Sequence, residues 1–146
     1  MKQSLTIENI KQSIGQPLFR QELAVESGML HRYAEAVGVG NLHGQGDTTE
    51  VSATMLAMFG LGDITSALHE PCAVILHGSS DFESYLPVRV GDVITIVAAV
   101  TSIRERQSET GNTVFLVLQM DYTNQRGEGV ALCKQLIIVQ FGVAND

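Results

Sequence analysis

The residues best suited to acid–base chemistry lie in a glycine-rich segment, residues 38–47. His43 can take up and release a proton near neutral pH, and Asp47 places a carboxylate four positions later. Asn41 can orient a water molecule beside them, or it can simply occupy a left-handed turn. The alternative for His43 is a solvated loop histidine. The pattern therefore makes His43 and Asp47 a candidate catalytic pair and Asn41 a candidate substrate-binding residue.

Three further candidates for substrate binding follow in the second half of the chain. His77 lies in an apolar segment, where it is either a ligand-binding group or a core or interface histidine. Gly78 allows close approach of the backbone to a ligand, or marks a β-bulge. Arg89 lies in a corner rich in Pro and Gly and can bind a phosphate, or pair with an acidic side chain at the surface.

Metal and disulfide sites are not expected. The four histidines lack the H-E-x-x-H pattern and the spacing of zinc ligands. Cys72 and Cys133 are far apart in sequence and have no neighbouring cysteine, so we expect buried thiols that pack as small apolar groups.

The sequence pattern in the first half of the chain predicts helices on both sides of the glycine-rich segment. Residues 6–14 and 26–38 have apolar residues at helical spacing and end at glycines, and residues 17–25 lie between them as a first strand. Residues 51–68 form the most hydrophobic helical pattern, with N-cap candidates in residues 47–50. We expect this helix to be the central one.

The second half predicts a sheet of long antiparallel strands, at residues 72–85, 92–106, 112–124 and 129–141. Residues typical of hairpin turns separate the last three strands. In residues 113–123, alternate positions give one wholly apolar face and one mixed face. The apolar residues left over on edge and outer positions indicate a second subunit or domain.

Composition limits the classes of function. A chain of 146 residues with 45% hydrophobic residues predicts one domain, residues 1–146. The net charge of −7 argues against nucleic acid as a partner. Residues 93–100 form the longest uncharged apolar run, which is too short to cross a membrane, and the N-terminus lacks a signal-peptide core, so we expect a cytoplasmic protein without a membrane partner.

This layout, a hydrophobic helix followed by a long antiparallel sheet, resembles the α+β hot-dog fold. The sequence LHGSSDFESYLPVRVGDVIT at residues 76–95 is similar to a strand and corner of MaoC-like dehydratase domains. Residues 122–130, YTNQRGEGV, resemble a turn of the same family, and residues 33–38, YAEAVG, resemble one of its helices. The resemblance covers nearly the whole chain and is greatest to the FAS1-like, or MaoC N-terminal, dehydratase half.

The resemblance implies reversible addition of water to a trans-2-enoyl thioester, which gives an R-3-hydroxyacyl product. Coenzyme A or phosphopantetheine is then the substrate carrier, and no other cofactor is expected. The family motif D-x-N-P-x-H places His43 at its histidine, but Gly38 stands at its aspartate. Asp47 is therefore the candidate replacement for the missing carboxylate.

Two alternatives remain open at the level of sequence. The missing aspartate and the short connection at residues 44–47 favour a non-catalytic hot-dog subunit that shapes the acyl pocket of a catalytic partner. A homodimer or a heterodimer with another hot-dog subunit is expected in either case. An acyl-CoA thioesterase, with Glu50 as nucleophile or base, is a weaker alternative.

Overall fold

The computed structural model describes residues 6–38, 50–59, 68 and 73–142. Its elements, in chain order, are α1 Ile7–Gln12, β1 Pro17–Ala24, α2 Ser27–Val37, α3 Ala53–Ala57, β2 Ala73–Ser84, β3 Val93–Ser108, β4 Gly111–Thr123 and β5 Gly129–Gly142. The first two predicted helices and all five predicted strands are confirmed within a few residues.

The five strands form one antiparallel sheet in the order β1-β3-β4-β5-β2. The two predicted hairpins, β3–β4 and β4–β5, are adjacent in this sheet. β2 does not pair with β3, its successor in the chain, because it crosses over to pair with β5. β1 and β2 are therefore the two edge strands.

One face of the sheet carries the core, and we call it the inner face. Buried residues alternate along β3 and β4, as strands with one covered face require. The apolar face predicted for β4 is this buried face, made of Val114, Leu116, Leu118, Met120 and Tyr122. The predicted mixed face is the outer face, where Phe115 and Val117 are half-buried.

Short helices contribute apolar side chains to the same core. α1 buries Ile7 and Ile10, and α2 buries Leu30 and Ala34. α2 ends at Gly38, which adopts a left-handed conformation with φ 74° and donates its N–H to the last turn. This is the end that the sequence predicts.

The start of the central helix differs from the prediction. Ser52 is the N-cap of α3, and its hydroxyl accepts a hydrogen bond from the Met55 N–H at 3.2 Å. Val51 instead donates its N–H to the Val88 carbonyl at 2.7 Å, beside an isolated β-bridge between Glu50 and Arg89, so the helix begins after these contacts. Residues 60–67 of the predicted helix lie outside the described residues.

Candidate functional site

A bulge in β2 brings two polar side chains to the same face of the sheet. His77 lies opposite Ile137, whereas Ser79 lies opposite Leu136, so Gly78 is an extra residue in this strand. Residues three positions apart normally point to opposite faces of a strand. The extra residue places His77 and Ser80 together on the inner face.

Glycine suits the bulge because a side chain there would press on two neighbouring side chains. A Cβ at Gly78 would lie 3.0 Å from Leu136 Cδ2 and 3.2 Å from Ile138 Cδ1. The sequence allowed two roles for Gly78, close approach of the backbone to a ligand or a β-bulge, and the structure contains the bulge. It packs closely against side chains of the outer face.

The two polar side chains meet a buried amide on β5. The Gln135 Oε1 atom lies 2.6 Å from His77 Nε2 and accepts a hydrogen bond from the Ser80 hydroxyl. Ser80 Oγ lies 2.9 Å from His77 Nε2. On its other side, Gln135 Nε2 donates to Cys133 Sγ at 3.2 Å. We call His77, Ser80 and Gln135 the inner-face polar cluster.

The cluster joins exposed and buried groups. Gln135 is 1% exposed, whereas His77 and Ser80 are exposed. Burial raises the pKa of the Cys133 thiol that lies behind the amide. This buried Cys133 agrees with the sequence prediction, and Cys72 lies outside the described residues.

Gln135 and Asn124 are the two buried polar residues in the described part of the chain. Asn124 has a structural role: its Oδ1 accepts the N–H groups of Arg126 and Glu128 at 3.0 Å each, which closes the β4–β5 turn. Gln135 closes no turn. Its amide instead contacts the side chains of His77, Ser80 and Cys133.

Arg89 lies in a second, separate polar region, the corner between β2 and β3. Its guanidinium lies 3.3 Å from Glu50, and both side chains are more than half exposed. The surface pairing that the sequence allowed for Arg89 is therefore present, and such exposed pairs contribute little stability. Glu50, the residue considered for thioester hydrolysis, is this partner.

The same corner is fixed by Asp92. Its carboxylate accepts hydrogen bonds from the Arg89 backbone N–H and the Gln125 side chain, each at 2.9 Å. These two donors, the backbone N–H first, lower the pKa of Asp92. Gly91, with φ 97°, supplies the left-handed residue of the turn. Asp92 thus has a turn-forming role.

The site residues predicted from the sequence fall into three groups, and the structure describes two of them. His77 and Gly78 lie in the middle of β2, about 20 Å from its end at Ser84 at roughly 3.3 Å per residue, and Arg89 lies five residues beyond that end. Asn41, His43 and Asp47 lie outside the described residues. Their predicted roles remain predictions.

Sequence reasoning missed Ser80 and Gln135. Gln135 could have been found from the alternation of its strand. It lies between Cys133 and Ile137 at alternate positions of β5, so it is a polar residue on an otherwise apolar face. Ser80 had no such signal, because a regular strand without the bulge puts it on the opposite face from His77.

Other features of the described residues do not join this cluster. A groove of about 720 Å³ lies on the outer face and is lined by Ser102, Arg104, Glu105, Arg106, Phe115, Val117 and Leu136. Within the described part of the chain, no group of three or more His, Cys, Asp or Glu residues is arranged to hold a metal ion. Nor does that part contain a helix long and apolar enough to cross a membrane.

Solved structures with the same fold cover nearly the whole chain. A monoamine oxidase regulatory protein from Archaeoglobus has a TM-score of 0.72 and 17% identity, covering 97% of this chain and 99% of its own. The ChsH1–ChsH2 complex from Mycobacterium tuberculosis has a TM-score of 0.68 and 15% identity, with 96% and 95% covered. The (R)-hydratase from A. caviae involved in PHA biosynthesis has a TM-score of 0.66 and 17% identity, with 85% and 94% covered. These matches confirm the predicted hot-dog fold.

Sequence comparison is more specific than the structural likeness. No curated protein sequence matches the chain. The family model of the FAS1-like dehydratase domain region matches residues 12–133, which include the β2 bulge, the Arg89 corner and the β4–β5 turn. Because this match covers most of the sequence, the chain belongs to the FAS1-like dehydratase domain family.

Proposed function

We propose that this chain acts in the reversible hydration of enoyl thioesters, as a hydratase or dehydratase of R-3-hydroxyacyl groups. The observation that carries the proposal is the match of residues 12–133 to a dehydratase domain family. The neighbouring (R)-hydratase structure supports the same reaction class. Coenzyme A or an acyl carrier protein would supply the thioester, and no other cofactor is needed.

The reaction requires a water molecule, a proton acceptor and a proton donor. In hydration, the water oxygen bonds to C3 of the enoyl group while one of its protons goes to a base, and C2 receives a proton as the double bond is lost. A backbone N–H at the thioester carbonyl stabilises the enolate charge that develops between these events. His43 is the proposed acid and base, with Asp47 as its carboxylate partner and Asn41 orienting the water.

Arg89 is the proposed contact for a phosphate of the carrier. Its guanidinium is exposed, and its only charged contact among the described residues is the Glu50 carboxylate at 3.3 Å. Because an exposed pair of this kind is weak, a phosphate can replace the carboxylate without a large loss of stability. His77 is proposed to line the thioester pocket at the inner face of β2, and the backbone of Gly78 is proposed to approach the ligand beside it.

The second candidate function is a non-catalytic subunit that completes the acyl pocket of a catalytic partner. The edge of β2 favours it, because within the part of the chain that the structure describes this strand pairs with β5 on one side only, and Val74 and Leu76 are 56% and 43% exposed. The neighbouring ChsH1–ChsH2 structure is a complex of two subunits. We propose that a second hot-dog chain, identical or different, pairs with this edge.

The test is an absorbance assay of the purified protein with a panel of enoyl-CoA and R-3-hydroxyacyl-CoA thioesters. We expect the conjugated enoyl absorbance to change at a rate proportional to protein, and His43→Ala to abolish the change. His31→Ala, at an exposed position of α2, is the matched control and should retain the rate. A flat trace from a folded protein, with turnover only after a second hot-dog protein is added, would support the subunit role instead. Release of free thiol would contradict both candidates.

A further inference from the structure

The inner-face polar cluster places a buried amide among apolar side chains of the sheet. Gln135 is 1% exposed and lies between Cys133 and Ile137 on the apolar face of the sheet. Burying an amide is unfavourable unless its hydrogen bonds are satisfied, and an apolar side chain at this position would avoid that cost. The cluster therefore needs an explanation other than packing.

The orientation of the Gln135 amide indicates which nitrogen of His77 carries a proton. An amide oxygen only accepts hydrogen bonds, so both neighbours must donate to it. Ser80 donates through its hydroxyl, and His77 donates through Nε2 at 2.6 Å. With the amide in this orientation its nitrogen donates to Cys133 Sγ at 3.2 Å, whereas the reverse orientation would need the weak S–H donor of Cys133 in place of that bond. In the orientation shown by the structure, neutral His77 carries its proton on Nε2 and has a lone pair on Nδ1.

The surroundings of His77 favour a ligand with an apolar chain and a hydroxyl group. His77 is exposed, so its Nδ1 can receive a partner from outside the cluster. Ile75 and Phe82 lie on the same inner face of β2, on either side of the cluster, and both are half-buried apolar side chains. A short acyl chain that carries a hydroxyl group fits this surface, because its carbon atoms can pack on Ile75 and Phe82 while the hydroxyl donates to His77 Nδ1.

We propose that His77 Nδ1 accepts a hydrogen bond from the 3-hydroxyl of a 3-hydroxyacyl thioester, and that Ser80 and Gln135 are positioning residues that hold the imidazole in this tautomer. The inference rests on the proposed function and adds to it a residue that distinguishes the hydrated from the unhydrated substrate. It does not depend on whether the chain catalyses alone or with a partner, because it concerns binding to β2.

The test compares the binding of 3-hydroxybutyryl-CoA and butyryl-CoA, which differ by this one hydroxyl, to the full-length protein by calorimetry. One hydrogen bond to a neutral acceptor corresponds to about a tenfold difference in Kd, so we expect the hydroxylated thioester to bind about tenfold more tightly. His77→Phe should remove this preference, so that the ratio of the two Kd values falls to about one. Ser79→Ala, on the outer face, is the matched control and should keep the preference.

A second measurement follows the imidazole itself and needs no ligand. Two-dimensional 15N NMR of the side chain should show protonated Nε2 and unprotonated Nδ1 for His77, with the resonance assigned by its loss in His77→Phe. Gln135→Leu should change this to a mixture of tautomers and reduce the hydroxyl preference several-fold. A role of Gln135 in packing alone would leave the tautomer unchanged and would contradict the proposal.

The possible failures are distinguishable. If the protein binds neither thioester, the proposed function is wrong and this inference falls with it. If it binds both with equal affinity, the proposed function stands and the role of His77 is wrong. If His77→Phe changes the molecular mass measured by light scattering but not the preference, the cluster belongs to a subunit interface, and the inference is likewise overturned.

Discussion

Removing the partners of a buried amide should cost more stability than removing the amide together with them. In the double variant His77→Ala/Ser80→Ala, the Gln135 Oε1 atom loses both of the donors that the structure provides. Because Gln135 is 1% exposed, water reaches this oxygen poorly in the native packing. An unsatisfied buried acceptor costs about 1–3 kcal/mol, so the free energy of unfolding should fall by up to that amount, and by less where water enters the space that the two exposed side chains leave.

Adding Gln135→Leu to the double variant should restore most of the loss. The leucine has nearly the same length and no polar atom, and it buries apolar surface beside Ile137. We expect the triple variant to lie within about 1 kcal/mol of the wild-type protein. At about 2–4 °C per kcal/mol for a chain of this size, its Tm should exceed that of the double variant by several degrees.

The assay is urea unfolding followed by far-UV circular dichroism, at one protein concentration for all variants. The mass of each variant is measured by light scattering, because loss of a subunit contact at the β2 edge would also lower the apparent stability. A triple variant no more stable than the double variant would refute the reasoning. It would mean that the orphaned amide oxygen is not the source of the loss.

Three further predictions concern the framework around the site. The pKa of Asp92 is lowered in the folded protein. The stability that its ionised carboxylate contributes is therefore fully present above the unfolded pKa near 3.8 and is lost as pH falls through the folded pKa. Asp92→Asn, which weakens the bond to Gln125, should therefore lower the free energy of unfolding by about 1–2 kcal/mol at pH 7 and by progressively less below about pH 4, measured by urea unfolding across pH. Gly78→Val should cost about 1–3 kcal/mol in the same assay because its Cβ would lie 3.0 Å from Leu136 Cδ2, and a neutral result would show that this side chain moves freely. Tyr122→Phe should lower the Tm by about 2–6 °C in a thermal scan, since the fully buried hydroxyl donates to a backbone carbonyl at 3.2 Å, and an unchanged Tm would contradict that bond.

The elements of the fold were predictable because their signals are local. The alternation in residues 113–123 identifies the buried face of β4, and Gly38 identifies the end of α2. The pairing of β2 with β5 was not predictable in this way, since no local pattern specifies a partner more than fifty residues away in sequence. The N-cap of α3 was missed because Ser52 competes with earlier polar residues, and only the contact between Val51 and Val88 decides between them.

The candidate site was predictable only where residue type alone indicates chemistry. His77 and Arg89 were identified as polar residues in apolar or turn-rich segments. The hydrogen bonds between His77 and its partners depend on a single extra residue in β2 and on the register with β5, which changes the face of every later side chain in the strand. Their grouping is therefore a property of the sheet and not of the motif.

The position of the cluster on an edge strand links the two candidate functions. A chain that pairs with β2 continues the sheet, and it therefore continues the inner face on which His77 and Ser80 lie. The exposed side of the cluster then faces the first strand of the partner, so one partner can both cover the apolar edge and close the pocket around His77. On this geometry, a catalytic chain and a pocket-shaping subunit can both use the β2 bulge, and the presence of the bulge alone does not decide between them. What distinguishes them is the chemistry supplied by residues 39–49, where the predicted pair of His43 and Asp47 lies.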